Sequence, residues 1–346
     1  MGFDLNSITR ENVRDLKPYS SARDEYTDSG ADMVFLDANE NPFDNGLNRY
    51  PDPQQRILKQ KLADIKGVPS SFILLGNGSD EVLDLIFRAF CEPHKDNVIT
   101  APPTYGMYKV LAGINAVENR EVYLTNGFSL DVEAMLAAAD KNSKIIFISS
   151  PNNPTANRFD DTAIRKLLEN FDGLVVIDEA YIDFSTEGSW IRKLEDHPNL
   201  IVTQTFSKAL GMAGIRLGVA YASQAIIDVL NKIKPPYNVN ALTQLRAMEQ
   251  LNNTDLNASQ LGQILDERKK LMAALPGIPC IKQVFESDAN FILARVDDAG
   301  KRYDELIAKG IVVRNRSTQP LCENTLRFTV GTPEENVTLI KALKEL

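Results

Sequence analysis

The chain has few of the residues that most often carry proton transfer and metal binding in enzymes. Its 346 residues include two histidines and three cysteines. No two of these five form a zinc-ligand pair of the C-x₂₋₄-C or H-x₃₋₅-H type, so we expect no metal site. His94 and His197 both fall in polar segments typical of turns, with no nucleophile motif nearby. Any proton transfer by this protein is therefore expected to use a different side chain.

The deficit of basic relative to acidic residues and the lack of long apolar segments restrict the possible partners of the protein and its cellular location. The 38 Lys and Arg residues are outnumbered by 47 Asp and Glu residues, and the net charge of −9 argues against nucleic acid as the main partner. No apolar run approaches the roughly 18 residues of a membrane span, so we expect no membrane partner. The N-terminal segment 1–12 lacks the apolar stretch of a signal peptide, and the scattered cysteines form no disulfide framework. These features predict a cytoplasmic protein.

Short apolar runs alternate with helical patterns in the first two thirds of the chain. Buried strands are predicted at 72–75, 97–100, 144–149, 173–178, 199–205 and 216–222. Apolar residues at helical spacing predict helices over 80–90 and 160–171 between them. Strands separated by crossover helices indicate a mostly parallel sheet covered on both faces, so the predicted fold class is α/β.

The remainder of the chain predicts two further parts. Residues 225–275 are largely helical with a break at 234–238, and the segment from about 280 onwards combines strands with helices. Its predicted strands are 290–296, 310–315 and 325–330, and its predicted helices are 301–309 and 333–346. The first 30 residues are polar and weakly periodic. We therefore expect an N-terminal arm over 1–30, a large α/β domain over 31–235 and a small α+β domain over 236–346.

Ligands of open α/β sheets bind at the carboxyl ends of the strands, so the residues after each apolar run are candidates for a site. Small residues in GNGSDE (76–81) lead into a helix, whose free N–H groups and dipole favour an anion. Glu81 stands where a dinucleotide fingerprint requires its third glycine. Alone, this segment is explained equally well by a tight turn in which Ser79 or Asp80 caps the helix, and SPNNPTAN (150–157) by a polar loop.

A carboxylate and a lysine follow two of the other strands. Asp178 ends a fully apolar strand, where a carboxylate is costly to bury unless a cation meets it. Lys208 directly follows a buried strand, and desolvation there would lower its pKa and make it a nucleophile suited to a Schiff base. Thr205 and Ser207 add hydroxyls and Arg216 adds a fixed cation, as a phosphate requires. Pyridoxal 5′-phosphate requires this whole set of amine, carboxylate and phosphate donors.

Several segments carry a family resemblance. FSKALGMAGIRLG (206–218), DEAY (178–181), SPNNPT (150–155) and PPTYGMY (102–108) resemble the fold-type I, aspartate-aminotransferase-like enzymes that use pyridoxal 5′-phosphate. Within that family, the segments that resemble the histidinol-phosphate aminotransferases are PYSSAR (18–23), DANENPF (37–43), RYPDP (49–53) and LRFTVGTPEEN (326–336). The resemblance runs from about residue 10 to the C-terminus. Ala156 departs from it, because the family usually has glycine there.

The resemblance implies an activity and the residues that perform it. It implies amino transfer between L-histidinol phosphate and 2-oxoglutarate in histidine biosynthesis, giving imidazole acetol phosphate and L-glutamate. Lys208 would bind the cofactor and move the proton, Asp178 would pair with the pyridine nitrogen, and Tyr181 and Asn153 would contact the phenolic oxygen. The further cofactor contacts that it implies are Ser79, Asp80, Tyr105, Thr205, Ser207 and Arg216.

The resemblance also implies substrate contacts and a homodimer. Arg327, in a predicted strand, would clamp a carboxylate, although without the resemblance an exposed charge on an edge strand explains it equally well. Arg314 and Tyr19 would hold the substrate phosphate and Asn153 would also face the substrate; Arg316, nearby, is not assigned. Tyr50 would reach the cofactor phosphate of a partner subunit, which requires a homodimer.

Three alternatives remain open at this point. An aromatic aminotransferase or a threonine-phosphate decarboxylase would use the same cofactor site with another substrate. A regulatory module that senses pyridoxal phosphate is the alternative that is not an enzyme. Such regulators normally carry a basic DNA-binding segment, and none stands beside this domain.

Overall fold

The computed structural model describes residues 3–18 and 34–346. Two short helices, α1 (Leu5–Ile8) and α2 (Glu11–Arg14), begin the described chain. Lys232 Nζ donates to the backbone carbonyl of Arg14 at 2.6 Å, and Ile8 joins a core cluster of the large sheet. This first segment therefore packs against the body of the protein.

A seven-stranded sheet forms the centre of the molecule, with the strand order β1-β7-β6-β5-β4-β2-β3. The strands are β1 (Ile73–Gly76), β2 (Asn97–Thr100), β3 (Glu118–Glu121), β4 (Ser143–Ser149), β5 (Leu174–Asp178), β6 (Leu200–Thr205) and β7 (Gly218–Ala222). β7 is antiparallel to both of its neighbours, β1 and β6, and the other adjacent pairs are parallel. The predicted α/β class with a mostly parallel sheet is confirmed.

Helices cover both faces of this sheet because successive strand residues point to opposite sides. On β5, Val175 and Ile177 enter one core cluster, whereas Leu174 and Val176 enter the other. The helices on the first side are α3 (Arg56–Lys66), α6 (Val132–Ala137) and α7 (Asp161–Asn170). Those on the second side are α4 (Ser79–Phe90), α5 (Met107–Ile114) and α8 (Gln224–Ile233).

A second, four-stranded antiparallel sheet lies in the C-terminal third, with the order β10-β11-β9-β8. Its strands are β8 (Ile281–Val284), β9 (Phe291–Val296), β10 (Arg314–Asn315) and β11 (Thr325–Thr329). The helices of this region are α9 (Ala241–Asn252), α10 (Thr254–Ala274), α11 (Ala299–Ala308) and α12 (Pro333–Lys344). Val239, Ala247 and Leu251 pack into the core of the large sheet, so α9 contacts that sheet as well. The division of the chain into the three predicted parts stays a prediction.

Two strand predictions need correction and two strands were missed. The run predicted over 216–222 begins at Gly218, because Arg216 has a φ of 52°, in the left-handed region. The run predicted over 310–315 forms only β10, at its end. β3 has the polar sequence ENRE on the edge of the large sheet, and β8 has only one buried residue, so neither shows an apolar run. None of the helices in the described ranges has the length and apolar character needed to cross a membrane.

Candidate active site

The carboxyl ends of β4, β5 and β6 meet at one edge of the large sheet. Ser149, Asp178 and Thr203 are neighbours across these three strands. One cavity opens beside them, and it is lined by most of the predicted cofactor residues: Ser79, Asp80, Tyr105, Asn153, Asp178, Tyr181, Thr205, Ser207, Lys208 and Arg216. Residues up to 137 positions apart in sequence are therefore brought to one place by the ends of parallel strands.

Asp178 is buried at this edge and is held by three donors. Tyr108 Oη donates to Oδ2 at 2.9 Å, while Thr203 Oγ1 and the backbone N–H of Ala180 each donate to Oδ1 at 3.2 Å. Burial raises the pKa of Asp178, and these three hydrogen bonds oppose that rise by favouring the carboxylate. The arrangement presents a hydrogen-bonded acid at the floor of the cavity.

Sequence reasoning missed Tyr108 and Thr203. Tyr108 lies one helical turn after Tyr105 in PPTYGMY, and Thr203 lies two residues before Thr205, where side chains of a strand share a face. Those spacings were the available signals. Neither could reveal the hydrogen bond, because Tyr108 and Asp178 are 70 residues apart in the chain.

Lys208 lies in the same cavity in a setting that disfavours its charge. Burial lowers the pKa of its amine, and the nearby guanidinium groups of Arg327 and Arg216 lower it further. The carboxylates of Asp178 and Asp80 act in the opposite direction. Its Nζ lies 5.5 Å from the centre of the Tyr181 ring. An amine with a lowered pKa can act as a nucleophile and as a base.

The part of the cavity lined by Ser79, Ser207 and Arg216 has groups that can bind an anion. Ser79 begins the twelve-residue helix α4, whose first N–H groups lack helical partners. Arg216 Nη1 lies 3.5 Å from Ser207 Oγ, and its Nη2 lies 3.7 Å from Asp80 Oδ2. Gly78 has a φ of 86°, which favours glycine, and a Cβ there would lie 2.7 Å from Arg216 Nη2, so the guanidinium would have to shift. The free N–H groups, hydroxyls and guanidinium match the needs of a phosphate.

Tyr105 forms one wall of this end of the cavity. Its Oη donates to Asp80 Oδ1 at 3.0 Å, and its ring packs edge-on against Tyr108 with 5.6 Å between centres. Burial, followed by the charge of Asp80, raises the pKa of Tyr105, so the phenol keeps its proton.

Arg327 lies beside the cavity rather than on a free edge. β11 lies between β10 and β9, so it is an interior strand of its sheet. Arg327 Nη1 donates to Asn153 Oδ1 at 2.5 Å, and its guanidinium lies 5.0 Å from the centre of the Phe291 ring. The same ring packs edge-on against Tyr181 at 5.0 Å. Phe291 therefore supports both Arg327 and Tyr181.

Arg314, Tyr50 and Ala156 are not among the residues that line the cavity. Arg314 is exposed on β10, directly opposite Arg327. Tyr50 is half-exposed, stacks on Tyr237 at 4.5 Å and does not line the cavity of its own chain. Tyr19 lies outside the described residues. Ala156 has a φ of 68°, the left-handed conformation for which glycine is favoured, and its side chain is fully buried beside Tyr181 and Phe291.

Comparison with known proteins agrees with this fold. The family model described as aminotransferase class I and II matches residues 26–343. The structure of the histidinol-phosphate aminotransferase from Clostridium acetobutylicum aligns with a TM-score of 0.80 at 26% identity, covering 86% of this chain and 90% of that one. That from Sinorhizobium meliloti, in complex with pyridoxal-5′-phosphate, aligns at 0.78 and 24% identity, covering 86% and 82%. The fold is that of the fold-type I aminotransferases.

One curated relative is similar to this chain over nearly its full length. The histidinol-phosphate aminotransferase of Flavobacterium johnsoniae is 63% identical to this chain, over 99% of both chains. The chain therefore belongs to the class I and II aminotransferase family.

Proposed function

We propose that this protein is a pyridoxal 5′-phosphate-dependent aminotransferase that acts on L-histidinol phosphate and 2-oxoglutarate in histidine biosynthesis. The observation that carries the proposal is the 63% identity, over nearly the full length, to a relative with that name. The cavity adds chemical support, since it holds an amine, a buried acid and an anion site together.

The residues of the cavity fit the cofactor. The start of α4, the Ser207 hydroxyl and the Arg216 guanidinium suit its phosphate, and Asp178 suits its pyridine nitrogen. The absence of a side chain at Gly78 lets the Arg216 guanidinium lie next to the start of α4, beside its first N–H groups. When bound, pyridoxal phosphate supplies an electron sink for the carbon that carries the substrate amine.

The protein side chains then have separate tasks. Lys208 holds an amine whose pKa is lowered by burial and by two arginines, so it can accept a proton from the substrate carbon and return it. Asp178 provides a negative charge that favours a protonated pyridine nitrogen. Tyr181 and the Asn153 amide, which both line the cavity, would donate hydrogen bonds to the phenolic oxygen of the cofactor. Because the lysine performs the proton transfer, the chain needs no catalytic histidine.

Two substrates would share this site in turn. Arg327 would bind the carboxylate of glutamate, and Arg314 and Tyr19 would join it for the phosphate of histidinol phosphate. An aromatic aminotransferase or a threonine-phosphate decarboxylase would need the same cofactor site with a different substrate end. The full-length relative favours histidinol phosphate over both.

A half-reaction tests the proposal. Purified enzyme loaded with pyridoxal phosphate is mixed with histidinol phosphate alone, and the cofactor absorbance should convert to that of the pyridoxamine form. Phenylalanine, glutamate and threonine phosphate are tested in parallel, with only glutamate expected to react. The Lys208→Ala variant should not turn over. Conversion by phenylalanine but not by histidinol phosphate would contradict the proposed substrate.

We also propose that the active form is a homodimer in the cytoplasm. Leu47, Tyr50 and Leu242 are each more than half exposed and line one shallow depression, which suits burial against a second copy. Tyr50 would then reach the phosphate site of the partner subunit. The three cysteines are free and buried, which suits a reducing compartment.

A further inference from the structure

Three arginines share one face of the small sheet. Arg314 pairs directly with Arg327 across β10 and β11, and the backbone N–H of Arg316 donates to the carbonyl of Thr325 at 2.9 Å. Arg316 directly follows β10, and its hydrogen bond to Thr325 continues the pairing of β10 with β11 by one residue. Because alternate residues of extended chain point to the same side, Arg316 shares the face of Arg314 and Arg327. Leu326, which pairs with Asn315, points to the other side and is buried in the core of the small sheet.

This arginine cluster, Arg314, Arg316 and Arg327, carries uncompensated charge. Within residues 3–18 and 34–346, none of the three forms an ion pair with a carboxylate. The Nε atoms of Arg316 and Arg327 are buried without a hydrogen-bond partner. Burial and the two neighbouring guanidiniums lower the pKa of Arg316. Like charges placed across strands oppose folding, so an anion bound between them would offset that cost.

The cluster borders the cavity. Arg327 Nη1 donates to Asn153 Oδ1, and Asn153 lines the cavity. Burial raises the pKa of Tyr181, which also lines the cavity, and the charges of Arg327 and Arg316 oppose that rise. Arg316 thus lies in the cluster whose member Arg327 contacts the cavity lining.

We propose that Arg316 is a specificity-determining residue that helps this site to select a phosphate monoester over a carboxylate. The inference rests on the proposed function. One guanidinium satisfies a carboxylate with two parallel hydrogen bonds, whereas a phosphate monoester carries almost two charges and three terminal oxygens. Arg327 alone is enough for the α-carboxylate of glutamate. Arg314 and Arg316 supply the additional charge and donors that only the phosphorylated substrate uses.

Kinetics of Arg316→Gln with both substrates test this role. The value of kcat/KM for histidinol phosphate should fall about 10- to 100-fold, mainly through KM, because charge-assisted hydrogen bonds are lost. The value for glutamate should change less than about 3-fold, since its α-carboxylate needs only one guanidinium and its γ-carboxylate carries one charge where a phosphate monoester carries almost two. Arg316→Lys should be intermediate, because it keeps the charge but loses the planar fork. Histidinol without phosphate should react equally poorly with all three enzymes.

Arg295→Gln is the matched control. Arg295 lies on the same face of the sheet, but its Nη2 donates to the carbonyl of Leu321 at 3.2 Å and its guanidinium lies near the Phe285 ring, outside the cavity. That variant should keep the wild-type preference between the two substrates. Thermal unfolding of all variants separates a loss of folding from a loss of binding, and Arg316→Lys decides the case if Arg316→Gln is unstable.

Different outcomes separate this inference from the proposed function. Equal losses with both substrates, or unchanged kinetics with histidinol phosphate, would overturn the role of Arg316. If the wild-type enzyme converts glutamate but not histidinol phosphate, the proposed substrate fails instead. Inorganic phosphate, used as an inhibitor of the glutamate half-reaction, then still measures the cluster: weaker inhibition of Arg316→Gln supports anion selection, and equal inhibition contradicts it.

Discussion

The carboxylate of Asp178 owes its state to side chains that contact it only in the folded chain. Burial alone would favour its neutral form, and donors from Tyr108, Thr203 and Ala180 act against that tendency. The Tyr108 phenol is fully buried, so its hydrogen bond is shielded from water. At the scale of single residues, the affinity for the cofactor should therefore depend on the groups that donate hydrogen bonds to Asp178.

Replacing Tyr108 with phenylalanine tests that dependence. The variant loses one hydrogen bond to a charged group, worth about 1.5–3 kcal/mol, so the pKa of Asp178 should rise further. We expect the apoenzyme to bind pyridoxal phosphate at least about 10-fold more weakly, as measured by titration of the cofactor absorbance. Tyr221→Phe is the control, because Tyr221 is equally buried but lies outside the cavity. Equal cofactor affinity of Tyr108→Phe and wild type would refute the prediction.

Among the elements, the close contact between β7 and the start of α4 shapes the anion site. A Cβ at Gly218 would overlap the backbone of Gly78 and Ser79. β7 is paired on both sides, with β1 and β6, so it cannot move away to relieve the overlap. The helix start would have to shift instead.

Gly218→Ala should therefore disturb both folding and phosphate binding. We expect a loss of about 1–3 kcal/mol in the free energy of unfolding, as for other overpacked sites, together with weaker binding of pyridoxal phosphate. Gly262→Ala, in α10 with open space around the new methyl group, should instead be neutral or stabilise by up to about 1 kcal/mol. Chemical denaturation measures the free energy of unfolding of both variants, and cofactor titration measures their affinity for pyridoxal phosphate. Similar values for the two variants would contradict the proposed effect of the contact between β7 and α4.

The link between β5 and the following segment depends on a second buried acid. Glu179 Oε1 accepts from the backbone N–H of Trp190 at 2.7 Å, and Oε2 accepts from Ser189 and Gln204 at 2.5 and 2.9 Å. Burial raises the pKa of Glu179 from 4.5 to about 7. This acid therefore ties the segment after Tyr181 to the sheet while titrating near neutral pH.

The pH dependence of the free energy of unfolding should show the titration of Glu179. Between pH 4.5 and about 7 the folded protein holds a proton that the unfolded chain has released. The contribution of this group to the free energy of unfolding therefore falls as pH rises, by about 3 kcal/mol in all. Denaturation of the apoenzyme from pH 5 to 8 should show a flatter dependence for Glu179→Gln than for wild type. Glu133→Gln, at an exposed position of α6, should keep the wild-type slope.

At the scale of the whole molecule, the cavity of one chain lacks one of the predicted cofactor contacts. Tyr50 stacks on Tyr237 at the surface and is not among the residues that line its own cavity. A second copy that covers the depression around Leu47 and Leu242 would bury exposed apolar surface, and the proposed dimer places Tyr50 at the other active site.

Combining two defective variants tests whether each active site uses residues of both subunits. Lys208→Ala should be inactive, and Tyr50→Ala should bind the cofactor weakly in each of its sites. In a mixed dimer, one site would combine Lys208 from one chain with Tyr50 from the other. Refolding the two variants together should therefore restore up to about a quarter of wild-type activity, because half of the dimers are mixed and each has one complete site. No recovery above the sum of the separate variants would contradict the shared site.

The large sheet was predictable because burial of a strand on both faces leaves a local mark in the sequence. The strands of residues 97–100 and 174–178 are continuous apolar or nearly apolar runs, and their predicted bounds agree with the structure to within one residue. β3 leaves no such mark, because an edge strand of polar residues can face water. The antiparallel direction of β7 also depends on its pairing with β1 and β6, which local periodicity does not encode.

The sequence by itself determined the fold class, the strand ends where chemistry is possible, and the key residue types of the site. Those features depend on periodicity and on motifs a few residues long. Tertiary structure decided which groups meet: Tyr108 with Asp178, Phe291 beneath Arg327, and Arg316 beside Arg314 and Arg327. It also decided which way each pKa moves, because desolvation and charge depend on neighbours distant in the chain. Such contacts are fixed by packing, and no local pattern records them.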